Sequence, residues 1–215
     1  MYIKVKRIID FILAIVLTII FAIPMLFIAV CIKIEDGEPV IYKSRRMGKD
    51  LKEFNIYKFR SMKTKRKELH SKLSHEEMVT NVGKFIRKTS LDELPQLINI
   101  IKGEMSFIGP RPWIPEYYVW FTDEQKRRAS VLPGISGLAQ VKGRNGINIF
   151  KKIDYDLQYV DNISFKQDAK LVLETIKTVF SKTNAEISEQ GIKEEIKDLK
   201  VRYVKTEDIK YKEVI

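Results

Sequence analysis

Asp92 and Glu93 are adjacent carboxylates in the stretch TSLDELPQLI, residues 89–98, and they are candidates for catalysis. A carboxylate can attack phosphorus as a nucleophile, and a neighbouring carboxylate is a natural ligand for a divalent metal ion. A plainer interpretation is that Ser90 and Glu93 form a capping box, in which both side chains satisfy free backbone N–H groups at a helix start.

Pro95 argues against the capping box. With Ser90 as N-cap, Pro95 would fall well inside the helix, where its missing N–H breaks a backbone hydrogen bond. With Asp92 as N-cap instead, Pro95 falls in the first helical turn, which tolerates proline. We therefore expect a short helix that includes residues 95–102 and has Asp92 as its N-cap, at the positive end of the helix dipole, where a phosphate would also bind.

Basic residues occur on both sides of this carboxylate pair along the sequence. They are Lys58, Arg60, Arg87, Lys88 and Arg111. A carboxylate that attacks phosphorus needs the negative charge of its target to be neutralised, and the guanidinium fork of Arg matches phosphate oxygens. The residue types fit Asp92 as nucleophile and Glu93 as metal ligand, although carboxylate pairs near basic residues are also common as plain helix starts.

The composition indicates an anionic partner. The chain has 215 residues, a formal net charge of +11 and a pI near 9.5, so phospholipid headgroups, nucleotide phosphates and nucleic acid all fit. Cys31 is the single cysteine, which excludes a disulfide framework within the chain and a cysteine-based zinc site.

Residues 11–32 form an uncharged apolar run that is long enough to cross a hydrocarbon core as a straight helix. Basic residues flank both ends of the run, so the positive-inside bias does not place the ends on opposite sides. Pro24 lies near the middle and permits a kink or a re-entrant hairpin, because it lacks an N–H and crowds the carbonyl of Ile20. These observations leave spanning and re-entrant topologies open. Asp10 lies just before the apolar run, and we expect it to pair with Lys6 or Arg7.

The remaining pattern predicts an α+β fold that is mainly α-helical. Residues 39–44 and 53–62 are typical of a small β-hairpin, and residues 63–82 of a charged, helical or mobile segment. Two amphipathic helices are expected, near 114–130 and near 166–181, and either could lie at a membrane interface or face the core.

Three ordered motifs resemble the bacterial sugar transferase family, the small monotopic phosphoglycosyl transferases. They are KFRSM (58–62), TSLDELPQLINIIKGEMSFIGPRP (89–112) and LPGISGLAQVKGRN (132–145), and the resemblance extends over about residues 1–180. It implies an enzyme that moves a sugar-1-phosphate from a UDP-sugar to undecaprenyl phosphate, or another polyprenol phosphate, and releases UMP. Such enzymes begin polysaccharide, lipopolysaccharide or glycoprotein assembly, and the sugar itself is not set by these motifs.

The resemblance also implies roles for individual residues. Asp92 would be the nucleophile that attacks the β-phosphorus to give a covalent phosphosugar intermediate, and Glu93 would assist it with Mg²⁺ held by both carboxylates. The substrate-binding residues that it implies are Lys58, Arg87 and Arg111 for the phosphates, and Gln140 and Arg144 for the nucleotide or sugar.

The implied architecture is a monotopic protein of the inner (cytoplasmic) membrane. Residues 1–33 would form a re-entrant helix hairpin broken at Pro24, residues 34–182 a catalytic domain on the cytosolic face with interfacial helices, and residues 183–215 a charged tail. Ile23 replaces the Ser that the family often has before this proline, so the helix break lacks a hydroxyl. The implied partners are membrane phospholipid and downstream glycosyltransferases, with no nucleic acid.

A membrane-tethered basic module that binds anionic lipid or nucleic acid without catalysis is the competing hypothesis. The Gly and Pro residues in KGEMSFIGPRP (102–112) and PGISG (133–137) argue against it. They predict particular backbone turns, which a merely electrostatic surface would not need.

Overall fold

The computed structural model describes residues 2–64, 77–143 and 147–180, together with residues 196, 197 and 200. The predicted α+β class, mainly helical, is confirmed. The helices are α1 (Tyr2–Ile20), α2 (Ala22–Asp36), α3 (Asn81–Lys88), α4 (Gln96–Lys102), α5 (Pro115–Tyr118), α6 (Asp123–Lys126), α7 (Leu138–Gly143), α8 (Ile149–Asp161) and α9 (Phe165–Phe180). The strands are β1 (Ile41–Met47), β2 (Glu53–Phe59), β3 (Ser106–Ile108) and β4 (Gly134–Ser136), and short 3-10 turns cover Lys49–Leu51, Leu91–Glu93 and Arg127–Ala129.

Strands β1 and β2 form the predicted hairpin, paired antiparallel with Ile41 opposite Phe59 and Met47 opposite Glu53. Strands β3 and β4 form a second, parallel pair that joins the GPRP and PGISG motifs. A Cβ atom on Gly109 or Gly134 would overlap the backbone of the other segment, and neither glycine has a positive φ. These two glycines therefore serve close backbone approach rather than the turns that the sequence suggested.

Helices α1 and α2 are separated by a bend of 61° at Phe21. By length and composition the bent pair could cross a membrane or re-enter it, whereas no single helix in the described part of the chain is long and apolar enough to cross alone. The break lies three residues before Pro24. Because Pro24 has no N–H, it cannot donate a backbone hydrogen bond to the carbonyl of Ile20, the last residue of α1. The N-cap residue Phe21 makes no side-chain capping bond, so nothing in the first turn of α2 replaces the missing hydroxyl.

Helix α1 is attached to the rest of the chain by packing and by charge. Ala14 is fully buried in a cluster with Leu97, Ile100 and Met105. The Arg7 guanidinium donates to the carbonyls of Ile100 and Ile101 at 2.6 and 3.1 Å, which satisfies backbone acceptors at the C-terminal end of α4. α1 is therefore held directly against the helix that follows the carboxylate pair.

The predicted pairing of Asp10 is confirmed, since Lys6 Nζ lies 3.8 Å from Asp10 and 2.8 Å from Asp168 on α9. The predicted helix over residues 166–181 is also confirmed as α9, and it leaves Phe165, Leu173 and Ile176 exposed. An exposed apolar face of this kind suits a helix that lies at a membrane interface.

The single helix predicted near residues 114–130 is wrong. The chain instead forms α5, which ends at Tyr118, then α6, which Thr122 starts through a capping box with Gln125, and then a 3-10 turn. Tyr117, Tyr118 and Phe121 are buried in one cluster, so the core-facing alternative is correct for this segment.

Asn99 joins α4 to the free edge of β2. It is fully buried, its side-chain amide donates to the Asn55 carbonyl at 2.7 Å, and its oxygen accepts from the Tyr57 N–H at 3.1 Å. A side chain on α4 thereby takes the place of a neighbouring strand, and it sets the distance between α4 and the strand that carries Lys58.

Replacing Asn99 with Ala should destabilise the protein strongly. The change leaves a buried N–H and a buried carbonyl on β2 unpaired, so we expect a loss of about 3 kcal/mol and a fall of about 6–12 °C in melting temperature. Thermal unfolding in detergent would measure it, with the exposed residue Asn81, changed to Ala, as the control. Equal melting temperatures for the two variants would contradict this role for Asn99.

Candidate active site

The carboxylate pair lies in the 3-10 turn Leu91–Glu93, and not at a helix cap. Helix α4 begins at Gln96 with Pro95 as its N-cap, and Ser90 has a left-handed conformation with no side-chain capping bond. The prediction that Asp92 caps the helix is wrong, and so is the capping box. Pro95 is accommodated just ahead of the helix, where its missing N–H is not needed, and the tight turn before it directs both carboxylates inward.

Two cations from distant parts of the sequence meet at Glu93. Lys58 on β2 places Nζ 2.6 Å from Glu93 Oε1 and 3.8 Å from Asp92 Oδ2. Arg111, in the segment after β3, places Nη2 3.2 Å from the same Glu93 oxygen. The carboxylate side chains are only 8% and 18% exposed for Asp92 and Glu93, so these charge interactions act with little screening by solvent.

The ionisation of Glu93 follows from these contacts. Burial by itself would raise its pKa, but the charges and hydrogen bonds of Lys58 and Arg111 outweigh burial and lower the pKa to about 2. Glu93 is therefore a carboxylate at every pH above about 4.

The segment that carries Arg111 is held by a buried cation, Arg128. The Arg128 guanidinium donates to the Arg111 carbonyl at 2.7 Å, pairs with Asp156 at 2.5 Å and lies 4.2 Å from the centre of the Trp113 ring. In turn, the Met47 N–H at the end of β1 donates to the Trp113 carbonyl at 2.8 Å. Arg128 thus fixes the backbone of the GPRP motif against the β-hairpin.

Arg87 lies on α3, which packs closely against the end of β2. A Cβ atom at Gly83 would overlap the Ser61 carbonyl, and Arg87 Nε donates to Ser61 Oγ at 2.8 Å. Helix α3 ends just before the 3-10 turn that holds the carboxylate pair, and the side-chain contact that places Arg87 is the one with Ser61.

Arg60 belongs to a different part of the molecule, contrary to the expectation that it helps to bind phosphate. Its guanidinium donates to the carbonyls of Asp36 and Gly37 at 3.1 and 2.8 Å, and it pairs with the Asp36 carboxylate. These are the free acceptors at the C-terminal end of α2, where a cation is also favoured by the helix dipole. The role of Arg60 is therefore to cap α2.

Gln140 lies on α7, and both polar atoms of its side chain are buried with no hydrogen-bond partner in the described part of the chain. Gly137 brings its backbone against Gly109, which places α7 behind the GPRP motif. Arg144, the other residue expected to contact nucleotide or sugar, lies outside the described residues.

Arg46 is a basic residue beside this site that the sequence reasoning missed. It is half-buried on β1, and its pKa is lowered by burial and by the charge of Arg111. The alternation of side chains in the predicted hairpin could have found it, because Tyr42 lies opposite Lys58 and residues 42 and 46 share a face.

The candidate ligands for Mg²⁺ at this site are the carboxylates of Asp92 and Glu93. Residues 2–64, 77–143 and 147–180 contain no group of three or more His, Cys, Asp or Glu side chains that could enclose a metal ion. Mg²⁺ commonly takes only one or two protein carboxylates and completes its shell with water and substrate phosphates. Asp92 and Glu93 fit this kind of site.

The chain matches the bacterial sugar transferase family over residues 1–182, and it belongs to this family. It is 42% identical over 174 residues to the uncharacterized sugar transferase EpsL of Bacillus subtilis (strain 168). The match covers 81% of this chain and 86% of EpsL.

Relatives with named activities are also similar. The chain is 34% identical to the UDP-glucose:undecaprenyl-phosphate glucose-1-phosphate transferase of Caulobacter vibrioides, over 84% of this chain and 71% of the relative. It is 35% identical to the undecaprenyl-phosphate galactose phosphotransferase of Salmonella typhimurium, over 84% of this chain. The match spans only 41% of that relative and 43% of the galactosyl transferase CpsE of Streptococcus agalactiae, so some relatives are more than twice as long as the matched region.

The low pKa of Glu93 predicts how stability depends on pH. Because the folded-state pKa is depressed, ionised Glu93 contributes stability that is complete above about pH 5 and is lost as the pH falls towards 2. Changing Glu93 to Gln should therefore lower the free energy of unfolding at neutral pH, by about 3 kcal/mol at most, and the difference from wild type should shrink below about pH 4.5. Melting temperatures in detergent between pH 3 and 7 would measure it.

Asp154, an exposed carboxylate on α8, supplies the control for this comparison. Its change to Asn should give a small difference from wild type at every pH. A Glu93→Gln difference that stays constant down to pH 3 would show that Lys58 and Arg111 do not depress the pKa of Glu93.

The Arg128 network makes a second prediction. Changing Arg128 to Met leaves Asp156 buried without its cation, which should cost about 3–5 kcal/mol, whereas the double change Arg128→Met with Asp156→Leu should recover part of the loss. Arg127 is the matched control, because its pairs with Glu124 and Asp161 are exposed and Arg127→Met should cost about 1 kcal/mol or less. Melting temperatures of the four proteins would test this, and a double variant no more stable than Arg128→Met would contradict it.

Proposed function

We propose that the protein transfers a sugar-1-phosphate from a UDP-sugar to undecaprenyl phosphate, or a similar polyprenol phosphate, through a covalent intermediate on Asp92. The observation that carries the proposal is the meeting of Lys58 and Arg111 at the adjacent carboxylates Asp92 and Glu93. The activities named for the relatives from Caulobacter vibrioides and Salmonella typhimurium support the same class of reaction.

In the first step, a carboxylate oxygen of Asp92 attacks the β-phosphorus of the UDP-sugar. A new bond forms between that oxygen and phosphorus, the bond from phosphorus to the oxygen bridging the two phosphates breaks, and UMP leaves with the electron pair. The approach of one anion to another needs neighbouring cations, and Lys58 Nζ lies within 3.8 Å of the attacking side chain.

In the second step, a phosphate oxygen of the polyprenol phosphate attacks the same phosphorus. The bond to Asp92 breaks, the carboxylate is regenerated, and the product is a polyprenol-diphosphate sugar. Two successive displacements thus take place at the same phosphorus atom, with Asp92 as the attacking group in the first and the leaving group in the second. This sequence predicts ping-pong kinetics.

Asp92 and Glu93 would hold a Mg²⁺ ion, which when bound neutralises phosphate charge and orients the diphosphate. Lys58 and Arg111 would keep Glu93 ionised for this role, since they lower its pKa to about 2. Arg87 adds a cation from α3, and Gln140 and Arg144 are proposed to contact the nucleotide or the sugar.

The proposed location is the cytosolic face of the inner (cytoplasmic) membrane, where the lipid phosphate lies at headgroup depth. The bend of 61° between α1 and α2 and the exposed apolar residues of α9 support a monotopic, re-entrant placement. We propose residues 1–33 as the membrane hairpin, residues 34–182 as the catalytic domain and residues 183–215 as a charged C-terminal tail. The proposed partners are membrane phospholipid and downstream glycosyltransferases, with no nucleic acid.

The release of UMP tests the proposal. Membranes that contain the protein, a panel of UDP-sugars, polyprenol phosphate and Mg²⁺ should release UMP, and the panel identifies the sugar. Asp92→Asn should reduce the rate at least about a thousandfold, because the nucleophile is lost, and EDTA should abolish release from wild type. Asp50, an exposed residue of the turn between β1 and β2, changed to Asn is the control and should keep full activity.

Intact-protein mass spectrometry gives a second readout. With the UDP-sugar but no lipid acceptor, wild type should gain the mass of one phosphosugar group and Asp92→Asn should not. UMP release that is unchanged in Asp92→Asn would rule out the nucleophile, whereas lipid binding without any UMP release would favour the non-catalytic basic module.

A further inference from the structure

Arg46 and Lys58 lie on the same face of the β-hairpin. Lys58 is directly opposite Tyr42 in the antiparallel register, and Arg46 follows Tyr42 by four residues, so the alternation of side chains brings all three to one face. Arg45, its neighbour, lies on the other face and pairs with Glu53 and Glu116 at 3.5 and 3.3 Å.

The Arg111 segment is fixed beside Arg46 by the backbone. The Met47 N–H, one residue after Arg46, donates to the Trp113 carbonyl at 2.8 Å, and Trp113 lies two residues after Arg111. The same segment is held from behind by Arg128. The fold therefore keeps the backbone segments of Arg46 and Arg111 side by side, the charge of Arg111 acts on Arg46, and Arg111 also touches Glu93.

This arrangement is unfavourable without an anion. Arg46 is half-buried, and within the described ranges no hydrogen bond or ion pair joins its guanidinium to another side chain. Glu116, a carboxylate whose charge acts on Arg46, forms its ion pair with Arg45 instead. Burial and the neighbouring charge of Arg111 both lower the pKa of Arg46, which means that its charged form is destabilised where it stands.

We propose that Arg46 and Arg111 form a phosphate-binding pair that holds a substrate phosphate next to the one attacked by Asp92. A phosphate group between the two guanidinium forks would accept hydrogen bonds from both and would remove the repulsion between them. The inference rests on the proposed function, and it adds Arg46 to the substrate-binding residues.

The length of the site agrees with this assignment. Four residues of β-strand separate Tyr42, opposite Lys58, from Arg46, which is about 13 Å along the hairpin. Along this face of the hairpin, Lys58 and Arg46 therefore form a row rather than a single point, and Glu93 with Arg111 lies beside Lys58. Such a row suits a ligand with two phosphates, or two ligands that each bring one, as the donor diphosphate and the lipid phosphate do.

Binding measurements on the full chain in detergent test the pair. The Asp92→Asn background prevents turnover, and calorimetry at fixed ionic strength gives the affinity for UDP and for a short-chain polyprenol phosphate. Adding Arg46→Met should weaken the binding of at least one of these ligands about tenfold or more, and Arg46→Lys should lose less. Arg45→Met, the matched control on the opposite face, should change both affinities less than about twofold.

Weaker UDP binding assigns the phosphate to the donor, and weaker polyprenol phosphate binding assigns it to the acceptor. Affinities for both ligands within about twofold of the background, or equal losses in Arg45→Met, would overturn the proposal. If Arg46-dependent binding is found but wild type releases no UMP, the proposed function fails and the phosphate pair remains.

The melting temperature separates a binding role from a structural one. Arg46→Met should melt at the same temperature as the background or higher, because the change removes a poorly solvated charge beside Arg111. A clear fall in melting temperature together with weaker binding would indicate that Arg46 supports the fold, and it would overturn the binding role.

Discussion

The organisation of this molecule depends on holding two adjacent carboxylates beside two cations in a part-buried turn. Removing Asp92 and Glu93 from water is costly unless cations replace the solvent, and Lys58 and Arg111 do so at 2.6 and 3.2 Å from one Glu93 oxygen. Those cations come from a strand and from a loop more than fifty residues apart in the sequence. The hairpin, α4 and the parallel strand pair can be understood as the supports that bring them together.

The supports are themselves polar and buried. Asn99 replaces a missing strand neighbour of β2, and Arg128 holds the Arg111 carbonyl while pairing with Asp156. Gly109 and Gly134 allow two backbones to approach more closely than side chains would permit. A buried polar network of this kind has few alternative arrangements, since each unpaired member would cost free energy, and it positions charge more rigidly than apolar packing alone.

The site also combines features that oppose stability. Arg46 and Arg111 repel each other, and burial disfavours the charge on Arg46. Strain of this type is common where a ligand completes the structure, because the ligand then binds to groups that are already oriented and poorly satisfied. In contrast, Arg60 has the same side-chain chemistry but satisfies the C-terminal carbonyls of α2, which shows that the residue type alone does not define a phosphate site.

The sequence by itself determined the α+β class, the hairpin, helix α9, the bend near Pro24 and the family to which the chain belongs, because these depend on local periodicity, on proline and on contiguous motifs. It did not determine that the carboxylate pair lies in a 3-10 turn ahead of α4, that residues 114–130 break into short helices around a buried aromatic cluster, or which arginines reach the site. Those outcomes were decided by the tertiary structure, since the strand register, the Met47–Trp113 hydrogen bond and the Arg128 network join residues that are far apart along the chain. Charge interactions fall off with distance in space, and sequence separation does not measure that distance.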